Sequence, residues 1–436
     1  MEFWIKIILF MLGGSCALLL AHTYAFYPWW TVRRAKGRST DLPPLTADDT
    51  NSSPEVVVVM AVYNEATCLE ATLRSIKANT SGRNCRILAG SDGSTDGSDE
   101  IGRRLAADWP ALEYRVFGGR QGKMRIVNEL IRSVRPTLSD PDSAILVMCD
   151  ANIVWGGELL SKLVRHFVRP EIGQVGAAPH DPAKRRPGIG DHEDAYINGE
   201  NRLKHAEGQL WGCTIGAFGA CHAMRFRLFE HIPENYSDED FFLSMHCLAS
   251  GYETHLDLEA LCYESVSVDI REEFRRKRRI SRGNFQNFAH FRELLTARSP
   301  RLGERAGPAL RPGLLTLAYA FWSHKGLRWY GPHLLVLGTL AAFGLALLDL
   351  RFAWPAGLLS LAFAAAGADA LLSRLAPSEW SWHLRPLRIV RYFFSMNIAL
   401  FLGWYDYMRG SCQGFWEPIR RVEASKSGDP IKVVNG

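Results

Sequence analysis

The run Ala144-Ile-Leu-Val-Met-Cys149 constrains this chain more than any other stretch, because it is wholly apolar over the length of a strand and stops on an acid, Asp150. An unbroken apolar run, rather than an alternating one, suits a strand covered on both faces. A second run, Val56-Val-Val-Val-Met-Ala-Val62, stops at Tyr63-Asn-Glu65, and a third, Arg86-Ile-Leu-Ala-Gly90, leads into Ser91-Asp-Gly-Ser-Thr-Asp-Gly97. Residues 112–117 read as a fourth strand and 256–262 as a later one, ending near Glu264. Leu69, Leu73 and Ile76 recur at helical spacing between the strands, as do Met124, Val127, Leu130, Ile131 and Val134. The alternation predicts a parallel α/β sheet with right-handed crossovers. Ligands of such sheets gather at the carboxyl ends of the strands, where Asp150 and, two residues on, Asn152 would offer hard oxygen ligands to a divalent cation. An isolated D-x-N is also an ordinary loop cap, so the assignment depends on its surroundings.

At 436 residues the chain exceeds one ordinary core. Apolar residues make up 47% of it and are strongly segregated. Residues 3–27 are apolar apart from Lys6 and His22, long enough to cross a bilayer and too long for a secretory signal. Tyr24-Ala-Phe-Tyr-Pro-Trp-Trp30 reads as an interfacial aromatic belt, and Arg33, Arg34, Lys36 and Arg38 after it place the following segment in the cytoplasm. Residues 334–348, 355–373 and 390–404 are three further candidate spans, while 314–322 reads as an interfacial helix. The basic loop 385–391 belongs inside. A count of spans puts the tail 409–436 outside, whereas Arg420, Arg421 and Lys426 favour the inside. The net charge of +5 is concentrated beside apolar segments, which marks a membrane face rather than a nucleic-acid surface. Nine cysteines without a C-x-x-C pair exclude a zinc ribbon or a disulfide framework.

Three further motifs carry chemistry. Gly118-Gly-Arg-Gln-Gly-Lys123 fails as a phosphate-binding P-loop, with Phe117 and Met124 at its first and last places, yet Lys123 at a helix start suits a diphosphate. Ser237-Asp-Glu-Asp240 sets three acids before an apolar helix, which the helix dipole favours whatever their function. Residues 275–282 crowd arginines that suit either a membrane-surface helix or a leaving diphosphate.

In this order, Ala61-Val-Tyr-Asn-Glu65, Ser91-Asp-Gly-Ser-Thr-Asp96, Gly122-Lys123, Asp150-Ala-Asn152, Glu239-Asp240, an arginine cluster and membrane spans, the chain resembles the family 2 glycosyltransferases. It looks most like the bacterial membrane-integrated members related to cellulose, hyaluronan and poly-N-acetylglucosamine synthases. The resemblance implies an α/β fold of GT-A type, a nucleotide-sugar-binding sheet domain with transmembrane helices at both ends. Its parts would be an N-terminal span at 1–30, a basic juxtamembrane segment and linker at 31–54, the cytoplasmic transferase domain at 55–290, an interfacial segment at 291–332, C-terminal spans at 333–408 and a tail at 409–436. The resemblance further implies that Tyr63, Glu65, Asp92 and Lys123 contact the nucleotide, and that Asp150 touches the donor sugar. Asp150 and Asn152 would hold Mg²⁺ or Mn²⁺. Asp240, with Glu239 before it, would be the catalytic base, and Arg276 and Arg279 would neutralise the diphosphate. The expected activity is inverting transfer from a nucleotide-diphospho-sugar, a UDP-sugar, to a growing cell-surface polysaccharide at a bacterial inner membrane; the alternative is one sugar added to a lipid or lipid-linked oligosaccharide. Two positions depart from the family pattern. Arg276-Lys-Arg-Arg-Ile280 replaces Q-x-x-R-W, which puts processive synthesis in doubt, and Asn152 removes one charge from the metal site, which predicts weaker cation binding.

Overall fold

The computed structural model describes residues 1–38, 54–180, 190–217, 219–264, 270–298, 313–375 and 385–410. Most of the expected linker and nearly all of the expected tail lie outside the described residues. The N-terminal apolar segment forms α1 (Glu2–Ala21) and α2 (Tyr27–Ala35), joined through a wide π-turn at His22–Phe26 into one continuous helix.

Then the α/β unit begins. Strand β1 (Val56–Val62) leads to α3 (Leu69–Thr80), β2 (Cys85–Ser91) to α4 (Ser98–Ala107), and β3 (Leu112–Val116) to α5 (Lys123–Val134). Strand β4 (Ile145–Cys149) and the short β5 (Val154–Trp155) precede α6 (Leu159–Val164), β6 (Ile172–His180), α7 (Gly190–Trp211), β7 (Cys221–Arg225), α8 (Glu239–Ala249) and β8 (Glu253–Tyr263). The unbroken apolar runs are explained by what covers them. In β1, Val57 and Val59 join the core on one face of the sheet, while Val56, Val58, Met60 and Val62 join the core on the other. Strand β4 divides the same way, Leu146 and Met148 against Ile145, Val147 and Cys149. Each such side chain contributes roughly 1.5–3 kcal/mol by burial.

The strand order is β3-β2-β1-β4-β7-β6-β8-β5. Strands β3, β2, β1 and β4 are parallel, as expected, but β7 runs antiparallel to both β4 and β6, and β5 antiparallel to β8. The sheet is therefore mixed, which corrects the expectation of a parallel one. Its second half is not marked in the sequence because β6 (Ile-Gly-Gln-Val-Gly-Ala-Ala-Pro-His) and β7 (Cys-His-Ala-Met-Arg) lack the β-branched runs of the first.

After the sheet come α9 (Ile270–His290), α10 (Arg292–Leu295), α11 (Leu314–Phe321), α12 (Leu327–Trp329), α13 (Gly331–Leu348), α14 (Ala353–Leu375) and α15 (Arg385–Met408), with a second π-turn at Trp322–Gly326. Three helical stretches, Glu2–Ala35, Gly331–Leu348 and Leu350–Leu372, are long and apolar enough to cross a membrane. Close packing of α1 on α13 uses small residues: a Cβ at Gly338 would lie 3.3 Å from that of Cys16, and one at Gly13 3.4 Å from that of Ala341. Helix α11 is less an isolated interfacial segment than part of the sheet domain's core, with Phe321 stacked 5.9 Å from Phe288. The basic stretch 385–391 is the start of α15 and not a loop. Helix α15 lies tightly along α9, where Asp406 accepts two hydrogen bonds from Arg278 (2.6 and 2.7 Å) and Leu400 O accepts one from Ser281 (2.7 Å).

Candidate functional site

The loops at the carboxyl ends of β1 and β2 are laced together before any ligand is considered. The Asn64 side-chain oxygen accepts from Thr95 N (2.8 Å), Asp96 accepts from Ala66 N (2.9 Å), and the Ser98 hydroxyl accepts from Glu65 N (2.9 Å). Asp96 is thus a fastener. Burial would raise its carboxyl, but hydrogen bonds from Ser98 and the Ala66 amide hold it below the usual range. Gly93 (φ +72°) is required here, since a Cβ would sit 3.0 Å from the Gly119 backbone.

Asp92 performs the corresponding service for the Gly-rich loop. Its carboxylate accepts from Gln121 N at 2.5 Å and from Gly122 N at 3.0 and 3.1 Å, tying the end of that loop, just before α5, to the end of β2. Gly122, at φ +96°, turns the chain into α5 so that Lys123 points into the cleft.

One cleft of about 440 Å³ is lined by Tyr63, Glu65, Asp92, Lys123, Asp150 and Asn152, so six of the ten residues singled out in the sequence converge there. The Arg120 guanidinium covers the Tyr63 ring, 4.1 Å from its centroid. Lys123 Nζ lies 2.5 Å from Asp150 and is also ion-paired with Glu239 at the start of α8. Burial would lower the Lys123 ammonium's pKa, but the two carboxylates outweigh it and push it well up. Lys123 therefore joins the end of β4 to the acids 90 residues further along the chain.

Those acids are held from behind by α9. Arg279 donates to Ser237 O (3.3 Å), Arg282 to Ser237 Oγ (2.6 Å), and Asn287 to Asp238 O (2.9 Å), while Gly283 leaves room for Asp238, whose Cβ would lie 2.7 Å from a Cβ there. Three adjacent carboxyls in one place cannot share one charge state. Burial and the neighbouring Asp240 push the Asp238 carboxyl well up, so it keeps its proton and shares a hydrogen bond with Asp240. Burial also acts on Asp240, but that hydrogen bond from Asp238, followed by Lys204 and His222, holds it below its ordinary range. Glu239 has Lys123. The result is one protonated acid beside an ionised, half-buried carboxylate, which is the state a proton acceptor needs.

The arginines separate. Arg279 is within electrostatic reach of Glu239, Asp238 and Asp150, hence of both ends of the site. Arg276, one turn earlier on α9, is 3.5 Å from Glu273. Sequence reasoning missed Asp238 as a proton holder and Lys204, His222 and Asn287 entirely, and took Arg282 only as one of a basic cluster. Only the consecutive acids carried any signal for the first.

Asp150 and Asn152 supply one carboxylate and one amide oxygen, with the Glu264 carboxylate 3.5 Å from the Asn152 amide. Among the described residues no group of three His, Cys, Asp or Glu forms a closed metal cage. This open, all-oxygen set fits Mg²⁺ or Mn²⁺ completed by phosphate oxygens and does not fit zinc.

Two family models match the chain: Glycosyl transferase family 2 over residues 57–232, and Glycosyl transferase family group 2 over residues 145–402, more than half of its length. The chain belongs to the family 2 glycosyltransferases. It is a sugar transferase using nucleotide-sugar donors. The succinoglycan biosynthesis protein ExoA of Rhizobium meliloti is 33% identical to this glycosyltransferase over 70 residues, 16% of the chain and 21% of ExoA, so the chain matches about a fifth of that curated relative's length. A mannosyltransferase from Pyrobaculum calidifontis, PcManGT, solved in complex with GDP-Man and Mn²⁺, superposes with a TM-score of 0.62 over 92% of this chain and 99% of its own, at 22% identity. That likeness establishes the GT-A fold.

Proposed function

We propose that this glycosyltransferase moves a sugar from a UDP-sugar to a growing cell-surface polysaccharide, with inversion, at the cytoplasmic face of a bacterial inner membrane. Residues 55–290 form its transferase domain. The single observation that supports the reading is the Lys123 bridge, which joins Asp150 at the end of β4 to Glu239, the neighbour of Asp240.

In this reading the donor's nucleotide lies along Tyr63, Glu65 and Asp92, and its diphosphate near Lys123. Asp150 and Asn152 would hold Mg²⁺ or Mn²⁺, which when bound neutralises phosphate charge as a Lewis acid. Arg279, with Arg276 behind it, adds positive charge on the same side. Asp240 accepts the proton of the acceptor hydroxyl as that oxygen bonds to the anomeric carbon. The bond from the anomeric carbon to the diphosphate oxygen breaks, and its electron pair leaves with the nucleotide. One direct displacement inverts the centre. ExoA's role in succinoglycan biosynthesis supports an exopolysaccharide product, and the Mn²⁺ in PcManGT supports a metal.

Transfer of a single sugar to a lipid or lipid-linked acceptor is favoured by one feature: Ile280 stands where processive relatives carry a tryptophan. Purified protein incubated with a panel of radiolabelled nucleotide sugars, followed by product sizing, separates the two. A ladder supports polymer synthesis and one adduct supports the alternative. Asp240→Asn is expected to lower kcat by about a thousandfold; an equally active Asp240→Asn protein ends the reading.

A further inference from the structure

Asn152 puts an amide where a second carboxylate would add charge to the cation site, and the Asp150 carboxylate is already shared with Lys123 Nζ at 2.5 Å. Divalent ions in oxygen sites are held by ligand charge as well as by ligand number. Asp150 and Asn152 alone therefore offer little net negative charge. The fold brings a further acid to them from the end of β8. Glu264 Oε1 accepts a hydrogen bond from Asn152 Nδ2 at 3.5 Å, across 112 positions of the chain.

Both backbones are fixed where they meet. Asp150 N donates to Ala220 O (3.1 Å), and Ile153 N closes a tight turn onto Asp150 O (3.2 Å). Strand β5 then pairs with β8, Val154 opposite Tyr263 and Trp155 opposite Cys262. Gly156 lets these strands close up: its amide donates to Leu261 O at 2.9 Å, and a Cβ there would lie 2.7 Å from that oxygen. On the other side β6 pairs with β8, and Glu264 N donates to His180 O at 3.0 Å. Glu264 is thereby held from two strands beside the turn that carries Asn152. Asn152 is buried and lines the cleft, whereas Glu264 keeps partial access to solvent. An amide that gives its Nδ2 to a carboxylate keeps Oδ1 as the atom for a cation.

We propose that Glu264 supplies the charge that Asn152 lacks: it orients the Asn152 amide with its oxygen toward the cation and stands behind it as the second carboxylate of the site. Glu264 is a positioning residue, acting through Asn152. The inference rests on the reading of Asp150 and Asn152 as the place of Mg²⁺ or Mn²⁺. The negative charge stands one side chain further from the ion than in a D-x-D pair, so it attracts more weakly but with the same sign. A carboxylate that merely ended a strand would leave cation affinity untouched.

Equilibrium dialysis of Mn²⁺ against the purified full-length protein, alone and with UDP or GDP present, tests this without reference to turnover. Glu264→Gln is expected to weaken Mn²⁺ binding roughly ten- to a hundredfold, with the metal-free melting curve unchanged. Adding Asn152→Asp to Glu264→Gln returns a carboxylate to position 152 and is expected to recover most of that loss. A double variant that binds as weakly as Glu264→Gln overturns the assignment of charge to Glu264. If Asp150→Asn loses Mn²⁺ while Glu264→Gln binds it like the wild type, the Glu264 inference fails and the metal site stands. If Asp150→Asn also binds like the wild type, or the wild type binds no Mn²⁺ with either nucleotide, both fail. If Glu264→Gln does not fold, Glu264→Ala takes its place under the same outcomes.

Discussion

The two halves of the sheet use charge in opposite ways. In the parallel half, β3-β2-β1-β4, the acids open on the cleft: the buried Asp92 is held by backbone amides and the partly exposed Asp150 by Lys123. In the mixed half, β7-β6-β8-β5, charges lie beneath the elements they join. Asp257 takes His166 at 2.9 Å and Arg165 at 3.0 Å, Glu253 takes His255 at 2.8 Å, and Glu207 of α7 takes His324 of the second π-turn at 2.8 Å. A rim charge can exchange its partner for a ligand. A buried pair cannot, and breaking it leaves a stranded ion. The first half is thus arranged to receive, and the second to hold the receiver in place.

If that contrast is sound, removing a ligand-side component ought to affect turnover without affecting the fold. Chelation by EDTA is expected to reduce transfer by on the order of a hundredfold, with Mn²⁺ restoring it and the melting temperature little changed; an undiminished rate would take the metal out of the reading. The mixed half predicts the reverse. For Asp257, burial would raise the carboxyl, but the hydrogen bond and charge of His166, the Glu259 amide and Arg165 bring it down to about 2. A depressed carboxyl stabilises the fold above its ordinary value of 3.8, and that contribution is lost as pH falls through about 2. Asp257→Asn is therefore expected to cost about 2 kcal/mol near neutrality, with wild-type and variant melting curves converging below pH 4. Equal stability at pH 7 would mean that this cluster does not hold the second half together. The smallest effect tests the rim itself. Asp92→Ala frees the Gly-rich loop and is expected to raise the donor KM about tenfold, with kcat and melting nearly unchanged. A large loss of stability there would erase the distinction between the halves.

The same contrast explains what could be read in the sequence. Strands β1 and β4 are visible because each is covered on both faces and so is written almost wholly in Val, Ile, Leu and Met, and β2 by the shorter run Ile87-Leu-Ala89. Their terminal acids mark the rim. Strand β7 is invisible because residues such as His222 and Ala223 pair with two neighbours through backbone bonds that need no bulky side chain. Helix α7 is harder still. Glu200, Lys204 and Glu207 have the composition of a solvated helix face, and only the arrival of Tyr27 and His324 from distant segments makes them interior residues. Asp238 poses the same difficulty at smaller scale, since a row of acids does not reveal which member keeps the proton until its neighbours are in place.

The two π-turns meet each other. The Thr23 hydroxyl, in the first turn, donates to the carbonyl of Ser323, in the second, at 2.7 Å, and His22 Nε2 lies 3.0 Å from the Ser323 hydroxyl. These contacts join positions 300 and 301 residues apart in the chain. The helical stretch Glu2–Ala35 therefore has partners for His22 and Thr23 only once residue 323 of the same chain is in place. Assembly is completed from the far end: a nascent chain cut short before residue 323 would have nearly all of the sheet domain, and its N-terminal helix would meet Glu207 and Trp211 through Tyr27 but find no partner for Thr23 at Ser323.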